Sequence, residues 1–208
     1  MHNKFLIIDT AILWMGSANF TYYAFYRNNE TMLRWEYPAL ALAYTEEFQE
    51  LTLHETIHKP YEEESIALYF SPEDTIRDRL IEKIDQAKEE ISFMIYTFTD
   101  SSIAEALVAA HNRGVTVQGI FDESQNSYQT YSQYDHLLEE GIAVKLDGNS
   151  YKLHNKVMII DRAVTIVGSY NYTDAANSSN AENVLILEDR DLASLFLSEF
   201  DLLFQEAK

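Results

Sequence analysis

The chain has 208 residues, of which 47% are hydrophobic and 13% aromatic, a composition that excludes global disorder and suffices for one or two domains with a buried core. It contains no cysteine, which excludes disulfides, thiolate zinc sites and cysteine nucleophiles. The formal net charge of -19 argues against nucleic-acid binding through a broad basic surface, unless positive charge is focused locally.

Membrane and targeting signals are not visible in the sequence. No apolar run approaches the roughly 20 residues that a membrane-spanning helix needs, so we expect no membrane span. The N-terminus has no basic segment followed by an apolar core, and therefore shows no export signal. The compartment stays open, and export would require a signal upstream of Met1.

The first quarter of the chain predicts two strands and a helix. Residues 5–8 and 12–15 are short apolar runs typical of buried strands. Leu40, Tyr44 and Phe48 recur at helical spacing and predict a helix with a core-facing stripe. Residues 52–65, rich in Glu, His, Lys and Pro, then predict a linker or an exposed crossing.

The linker contains a pattern that resembles a zinc site. Residues 54–58 read His-Glu-Thr-Ile-His, which fits the His-Glu-x-x-His motif of zinc enzymes. That motif requires both histidines on one face of a continuous helix, whereas Pro60 follows directly and no third ligand is evident. We interpret the segment as exposed linker, and expect neither a metal nor a cofactor. His111 and His136, on predicted helices, are likewise interpreted as ordinary helix residues.

Strands and helices alternate through the rest of the chain. This order predicts βαβ units, and therefore an α/β fold with a mostly parallel mixed sheet flanked by helices. Residues 124–134, heavy in Gln, Ser and Tyr, are predicted to form a surface loop. The predicted strands are 66–70, 91–97, 115–121, 142–146, 157–160 and 164–167, and the predicted helices are 75–89, 103–112, 133–140 and a last one carrying Leu192, Phe196 and Phe200.

The two ends of the chain carry one pattern twice. Adding 152 to the residue number takes His2 to His154 and Lys4 to Lys156, and the match continues without a gap. A chance recurrence of so many polar residues in register is improbable, so we interpret both sets as parts of one site. The other matched pairs are Asp9 and Asp161, Gly16 and Gly168, Ser17 and Ser169, Asn19 and Asn171, Thr21 and Thr173, Asn28 and Asn180, and Glu30 and Glu182.

The repeat predicts the domain organisation. Residues 1–51 form the C-terminal half of a first repeat, 52–65 are the linker, and 66–208 form a complete second repeat. The first repeat lacks the half that precedes His154 in the second. We therefore expect the chain to be a fragment, or to have a wrongly assigned start, with about 90 further residues ahead of Met1. An in-frame stop codon just upstream would contradict this.

The repeated residues suit phosphate chemistry. Residues i and i+2 of a strand share a face, so His2 and Lys4 point the same way, as do His154 and Lys156. Two such sets offer imidazoles, ammonium groups, hydroxyls and amides, which can bind a phosphate without a metal. One histidine can attack phosphorus while the other donates a proton to the leaving oxygen.

These residues resemble a known signature. The spacing His-x-Lys-x4-Asp, followed by Gly-Ser-x-Asn, occurs twice and is similar to the duplicated motif of the phospholipase D superfamily. Residues 168–173 and 180–183 resemble its nuclease-type branch in particular. The resemblance covers nearly the whole chain, and implies a phospholipase D-like fold with one complete repeat plus the C-terminal half of another.

The resemblance also implies roles for the repeated residues. It implies a metal-independent phosphodiester hydrolase with a covalent phosphohistidine intermediate, in which His2 of the first motif is the nucleophile and His154 the acid and then the base. Glu30 and Glu182 would orient the imidazoles. We further expect Lys4, Lys156, Ser17, Ser169, Asn19 and Asn171 to hold the phosphate, and Asp9, Asp161, Gly16 and Gly168 to be structural.

Three functions remain open from the sequence. We favour a nuclease, which needs a local basic patch because the overall charge is negative. The same chemistry would serve a phospholipase D or a phosphatidyltransferase acting on lipid. A non-catalytic phosphate-binding or nucleic-acid-binding module is the third. The expected partners are nucleic acid or another phosphodiester, and a second copy of the chain or a missing N-terminal half that completes the first repeat.

Overall fold

A computed structural model describes residues 1–53, 60–128 and 130–208, so the zinc-like pattern at 54–58 lies outside the described residues. Eleven strands are described, in two sheets. They are β1 Phe5–Ile8, β2 Ile12–Gly16, β3 Met32–Glu36, β4 Tyr61–Glu63, β5 Ile66–Ser71, β6 Glu90–Ile95, β7 Thr116–Phe121, β8 Ala143–Leu146, β9 Lys156–Ile160, β10 Val164–Gly168 and β11 Glu182–Glu188.

Eight helices are described in the same residues. None of them is both long and apolar enough to span a membrane. They are α1 Tyr22–Tyr26, α2 Pro38–Leu53, α3 Ile76–Gln86, α4 Ser101–Asn112, α5 Glu123–Tyr128, α6 Tyr134–Glu139, α7 Asp174–Ser178 and α8 Arg190–Glu206.

The expected α/β fold with a large mixed sheet flanked by helices is confirmed, but the sheet is not mostly parallel. The eight strands lie in the order β4-β5-β11-β10-β9-β6-β7-β8, and only the pairs β6–β7 and β7–β8 are parallel among the described residues. One reason is the turn between β9 and β10, where Asp161 and Arg162 have φ angles of 52° and 54°. Tight turns of this left-handed kind join antiparallel strands.

Both faces of the large sheet are covered. Along β9, Met158 and Ile160 face the core under α3 and α4, whereas Val157 and Ile159 face a second core under α2 and α8. This alternation explains why β9 reads as an unbroken apolar run, since a strand covered on both faces has no solvated side.

The three-stranded sheet β1-β2-β3 packs on the second core. Leu13 and Met15 of β2 are fully buried in the same cluster as Val157 and Leu185 of the large sheet. A common core therefore holds the first motif, which leads into β1, against the second motif, which leads into β9.

The stripe on α2 and one predicted loop differ from expectation. Leu40 and Tyr44 are fully buried, but Phe48 is exposed, so the stripe is shorter than its spacing suggests. Within the predicted loop 124–134 lies α5, which begins where Asp122 Oδ1 accepts hydrogen bonds from Ser124 Oγ and from the Gln125 amide. An acidic side chain in this position satisfies backbone donors that a helix start leaves free. The predicted linker 52–65 also differs from expectation where the structure describes it, because α2 continues to Leu53 and β4, Tyr61–Glu63, pairs with β5 at the edge of the large sheet. The division into two repeats stays a prediction.

Candidate active site

The two motifs are held by reciprocal backbone contacts. The His2 amide donates to the Ala181 carbonyl at 2.9 Å, and the His154 amide donates to the Asn29 carbonyl at 2.8 Å. Asn29 and Ala181 are themselves equivalent positions of the two copies. Each histidine therefore docks on a segment of the other copy, and both copies contribute to one site.

The glutamates are exchanged in the same way. His2 Nδ1 lies 2.7 Å from Glu182 Oε2, and His154 Nδ1 lies 2.8 Å from Glu30 Oε2. An ionised carboxylate only accepts hydrogen bonds, so each Nδ1 carries the proton and each Nε2 is left with its lone pair. That nitrogen is then available to attack phosphorus or to carry a proton.

Each glutamate is fixed by its own copy. Ser17 Oγ donates to Glu30 Oε2 at 2.6 Å, and Asn28 Nδ2 donates to the other oxygen at 3.1 Å. Around Glu182, Ser169 and Asn180 repeat these contacts at 2.6 and 3.1 Å.

The two serines differ from their predicted role. Ser17 and Ser169 are fully buried, and each hydroxyl also accepts a backbone amide, from Thr31 and Asn183 respectively. Because each hydroxyl has one proton and donates it to a glutamate, this arrangement favours positioning of the glutamates over the phosphate contact predicted from the sequence.

The two lysines are buried beside the histidines. Lys4 Nζ donates to the His2 carbonyl, and Lys156 Nζ donates to the His154 carbonyl at 2.6 Å. Burial lowers the pKa of both, and of Lys156 to about 7, although Glu30 and Glu182 act in the opposite direction on each lysine. Each lysine interacts electrostatically with both glutamates, so the charged residues of the two copies form one cluster.

The same surroundings shift the pKa values of the buried pair His154 and Glu30. Burial and the neighbouring charges of Lys156 and Lys4 lower the pKa of His154, against the pull of Glu30. Burial alone would raise the pKa of Glu30, but hydrogen bonds from His154, Ser17 and Asn28 lower it. The free protein therefore favours a neutral imidazole next to an ionised carboxylate.

The motif glycines allow close strand approach. A Cβ on Gly16 would lie 2.0 Å from the Thr31 carbonyl oxygen, and one on Gly168 would lie 2.1 Å from that of Asn183. Only glycine permits this approach, which brings the Ser and Glu of each copy together.

The motif aspartates have unequal surroundings. Asp161 accepts hydrogen bonds from the amides of Lys88, Glu89 and Glu90, which ties the β9–β10 turn to the start of β6. The Asp9 side chain makes no hydrogen bond within the described part of the chain. Among the described residues neither aspartate side chain is hydrogen-bonded to His2 or His154, and the structural role of both stays a prediction.

A cleft leads to His154. Its volume is about 430 Å³, within the range of small-molecule sites. Asn19, one of the predicted phosphate ligands, lines it, whereas Asn171 does not, and its buried Oδ1 has no hydrogen-bond partner among the described residues. The lining residues are Asn19, Thr21, Tyr23, Asn28, Ser150, Tyr151, Lys152 and His154.

Several residues of the site are not apparent from the motif. Tyr96 lies with its ring 4.5 Å from the His154 ring, edge to face. Asn155 Nδ2 donates to Thr31 Oγ1 at 2.9 Å, and Asn183 Nδ2 donates to Asn3 Oδ1 at 2.7 Å, which links the copies again. The match of Asn3 with Asn155 under the 152-residue offset is the one sequence signal that could have found this second pair of contacts.

Comparison with known proteins identifies the family of this chain. Residues 1–52 and 80–204 match the family model described as "Cardiolipin synthase, PLD-like domain". A phospholipase D of Rickettsia felis is 39% identical over 135 residues, which cover 65% of this chain and 67% of that protein. A mitochondrial cardiolipin hydrolase of Xenopus tropicalis is 35% identical over 64% of this chain and 63% of its own length.

Solved structures show the same fold. Nuc from Salmonella typhimurium, a phospholipase D family member, superposes with a TM-score of 0.66 at 35% identity, covering 72% of this chain and 97% of Nuc. A phosphatidylserine synthase of Haemophilus influenzae has a TM-score of 0.76 over 100% of this chain and 63% of its own, at 13% identity, and so shares the fold. The relatives named phospholipase D and cardiolipin hydrolase, together with Nuc, support phosphodiester hydrolase activity. The chain belongs to the phospholipase D superfamily, with a PLD-like domain of the cardiolipin synthase family.

Proposed function

We propose that this protein is a metal-independent phosphodiesterase that hydrolyses nucleic acid through a phosphohistidine intermediate. The observation that carries the proposal is the exchange of glutamates, with His2 bound to Glu182 and His154 bound to Glu30. Two imidazoles held in this way, with two lysines beside them, supply a nucleophile, a proton carrier and positive charge in one place.

The reaction divides into two displacements. In the first, Nε2 of one histidine attacks phosphorus, the bond from phosphorus to the leaving oxygen breaks, and the other histidine, as imidazolium, protonates that oxygen. In the second, the now neutral imidazole takes a proton from water, whose oxygen attacks phosphorus and breaks the phosphorus–nitrogen bond. One diester and one water yield one monoester and one alcohol, and both histidines return to their starting states.

Lys4 and Lys156 hold the non-bridging oxygens in this scheme. A bound phosphate brings negative charge to buried ammonium groups, which offsets the burial that lowers the pKa of both lysines. Glu30 and Glu182 stabilise the imidazolium and phosphohistidine states through Nδ1.

The assignment of the nucleophile rests on two opposing considerations. The family resemblance gives the nucleophile to the first motif, and hence to His2. The lowered pKa of the buried His154 favours the neutral form that a nucleophile needs, and the more exposed His2 has better access to water for the base step. Identification of the phosphorylated histidine decides between them.

Nucleic acid is the substrate that we propose, on two grounds. The chain resembles Nuc of S. typhimurium and, at 27% identity, NucT from Helicobacter pylori. Arg27 and Lys152 also bring positive charge to the cleft of a protein whose net charge is -19. A phospholipid substrate is the second candidate, because relatives carry the names phospholipase D and cardiolipin hydrolase.

The test is turnover in the presence of EDTA. We expect the 208-residue chain to cleave bis(p-nitrophenyl) phosphate and DNA or RNA, and to leave cardiolipin and phosphatidylcholine vesicles uncut. His2→Ala and His154→Ala should each lower the rate by about 1,000-fold or more. His136→Ala, whose imidazole pairs with Glu105 on the surface, is the matched control. Cleavage of lipid with nucleic acid intact would favour the second candidate, and failure on every diester would refute the enzyme.

A further inference from the structure

Two tyrosines line the cleft that contains His154. Tyr23 is 60% exposed and Tyr151 is 44% exposed, so both rings present free surface. Their centroids lie 6.1 Å apart with an interplanar angle of 46°. Other aromatic rings near Tyr23, such as Tyr22 and Tyr26, are also exposed, but Tyr23 and Tyr151 line the same cleft as His154.

The loop that carries Tyr151 is fixed to the first copy. The Tyr151 amide donates to Asn149 Oδ1 at 2.8 Å. Asn149 Nδ2 in turn donates to Asn29 Oδ1 at 2.6 Å and to the Arg27 carbonyl at 3.1 Å. Because Asn29 also receives the His154 amide, the aromatic pair and the catalytic histidine are positioned by one backbone segment.

Cationic side chains flank the rings along the way to His154. The guanidinium carbon of Arg27 lies 5.2 Å from the centre of the Tyr151 ring. Lys152 Nζ donates to the Tyr96 hydroxyl at 2.8 Å, and the Tyr96 ring contacts His154. Aromatic faces with interspersed arginine and lysine are what proteins use to hold unpaired bases and the phosphates between them.

We propose that Tyr23 and Tyr151 form a subsite that stacks one unpaired nucleobase next to the scissile phosphate, with Arg27 and Lys152 on the adjoining phosphate. This proposal rests on the proposed function and names the substrate as single-stranded nucleic acid. A base inside a duplex is stacked on its neighbours, so it reaches these rings only after unpairing. With a net charge of -19, local stacking supplies attraction that long-range electrostatics does not.

The same cations disfavour a choline-like headgroup. A quaternary ammonium binds aromatic faces, but here it would meet the positive charges of Arg27 and Lys152. A neutral base flanked by phosphates has no such conflict.

The experiment compares two labelled single-stranded oligonucleotides that differ in whether bases are present around the cleavage position. One has normal bases, one has abasic sites around the cleavage position, and bis(p-nitrophenyl) phosphate reports the chemistry independently. We expect Tyr151→Ala to lower kcat/KM on the normal oligonucleotide about 5- to 100-fold, mostly through KM, with a much smaller effect on the abasic one. Tyr151→Phe, which keeps the ring, should restore cleavage. Tyr26→Ala is the matched control, because Tyr26 is exposed on the same short helix as Tyr23 but does not line the cleft.

The outcomes separate this proposal from the proposed function. Equal cleavage of normal and abasic oligonucleotides by the unaltered protein, or equal losses on both in Tyr151→Ala, would overturn the stacking subsite and leave the phosphodiesterase intact. Cleavage of bis(p-nitrophenyl) phosphate but of no oligonucleotide would overturn the subsite and the nuclease together. Loss confined to base-containing substrate supports both.

Discussion

Replacing Glu30 tests the exchange of glutamates between the copies. Glu30 accepts hydrogen bonds from His154 at 2.8 Å, from Ser17 at 2.6 Å and from Asn28 at 3.1 Å. His154 and Glu30 have only 6% and 7% of their side-chain surface exposed, so solvent screens this pair little. A buried hydrogen bond to a charged group contributes about 1.5–3 kcal/mol, and we expect a coupling of that size between His154→Ala and Glu30→Ala.

The assay is a double-mutant cycle in the free energy of unfolding, measured by urea titration of the two single variants and the double variant. The matched cycle combines Glu30→Ala with His2→Ala, the histidine of the same copy, and we expect a clearly smaller coupling, below about 0.5 kcal/mol. The coupling energy between His2→Ala and Glu182→Ala should lie between these two values, because His2 is 32% exposed. A stronger coupling of Glu30 to His2 than to His154 would refute the exchanged arrangement.

Three further predictions concern charge and packing. Burial lowers the pKa of Lys156 to about 7, so its ammonium is lost as pH rises through that value and kcat/KM should fall there. Lys156→Arg should move this fall in kcat/KM to higher pH, and a fall at the same pH in the variant would contradict the prediction. Gly168→Ala should lower the free energy of unfolding by about 1–3 kcal/mol in a urea titration, because its Cβ would lie 2.1 Å from the Asn183 carbonyl oxygen, and unchanged stability would count against this packing. Asp161→Ala should lose about 1–2 kcal/mol more than Asp9→Ala in the same titration, because both residues have a positive φ but Asp161 also accepts three amide hydrogen bonds, and equal losses would show that these contacts contribute little.

The repeated sequence is enough to predict which polar residues the structure brings together. The 152-residue offset picks out both histidines, both lysines and both glutamates, and these residues form one cluster in the structure. Apolar runs predicted β1, β2, β9 and β10 close to their observed bounds. For β9 the reason is burial on both faces, which tolerates few polar residues, whereas in β1 Leu6 and Ile8 are exposed and the expected burial is wrong.

The sequence does not predict which glutamate binds which histidine. Glu30 and Glu182 stand at the same spacing from their own motifs, so spacing cannot tell which histidine each one binds. That choice depends on how the two sheets pack on a common core. The buried roles of Ser17 and Ser169 were missed for the same reason, since identical residue types serve as phosphate ligands or as internal donors according to burial.

The direction of the strands was predicted wrongly for a local reason. Alternating helices and strands favour parallel pairing, and β6-β7-β8 follow that rule. The strands that carry the second motif are instead joined by a short turn at Asp161 and Arg162, which dictates antiparallel neighbours. The sequence analysis does not predict β3, β4 or β11, although β11 contributes Glu182 to the site.

The phosphohistidine intermediate offers the most direct test that two histidines act on one phosphorus atom. With bis(p-nitrophenyl) phosphate the leaving group needs no proton donor, because p-nitrophenolate departs without protonation. A variant that lacks only the acid–base histidine should therefore form the intermediate and hydrolyse it slowly. Rapid quenching and peptide mass spectrometry of His2→Ala and His154→Ala should find a phosphoryl adduct on the remaining histidine in one variant and none in the other. An adduct in neither variant with turnover intact, or an adduct on a residue outside the two motifs, would contradict the account.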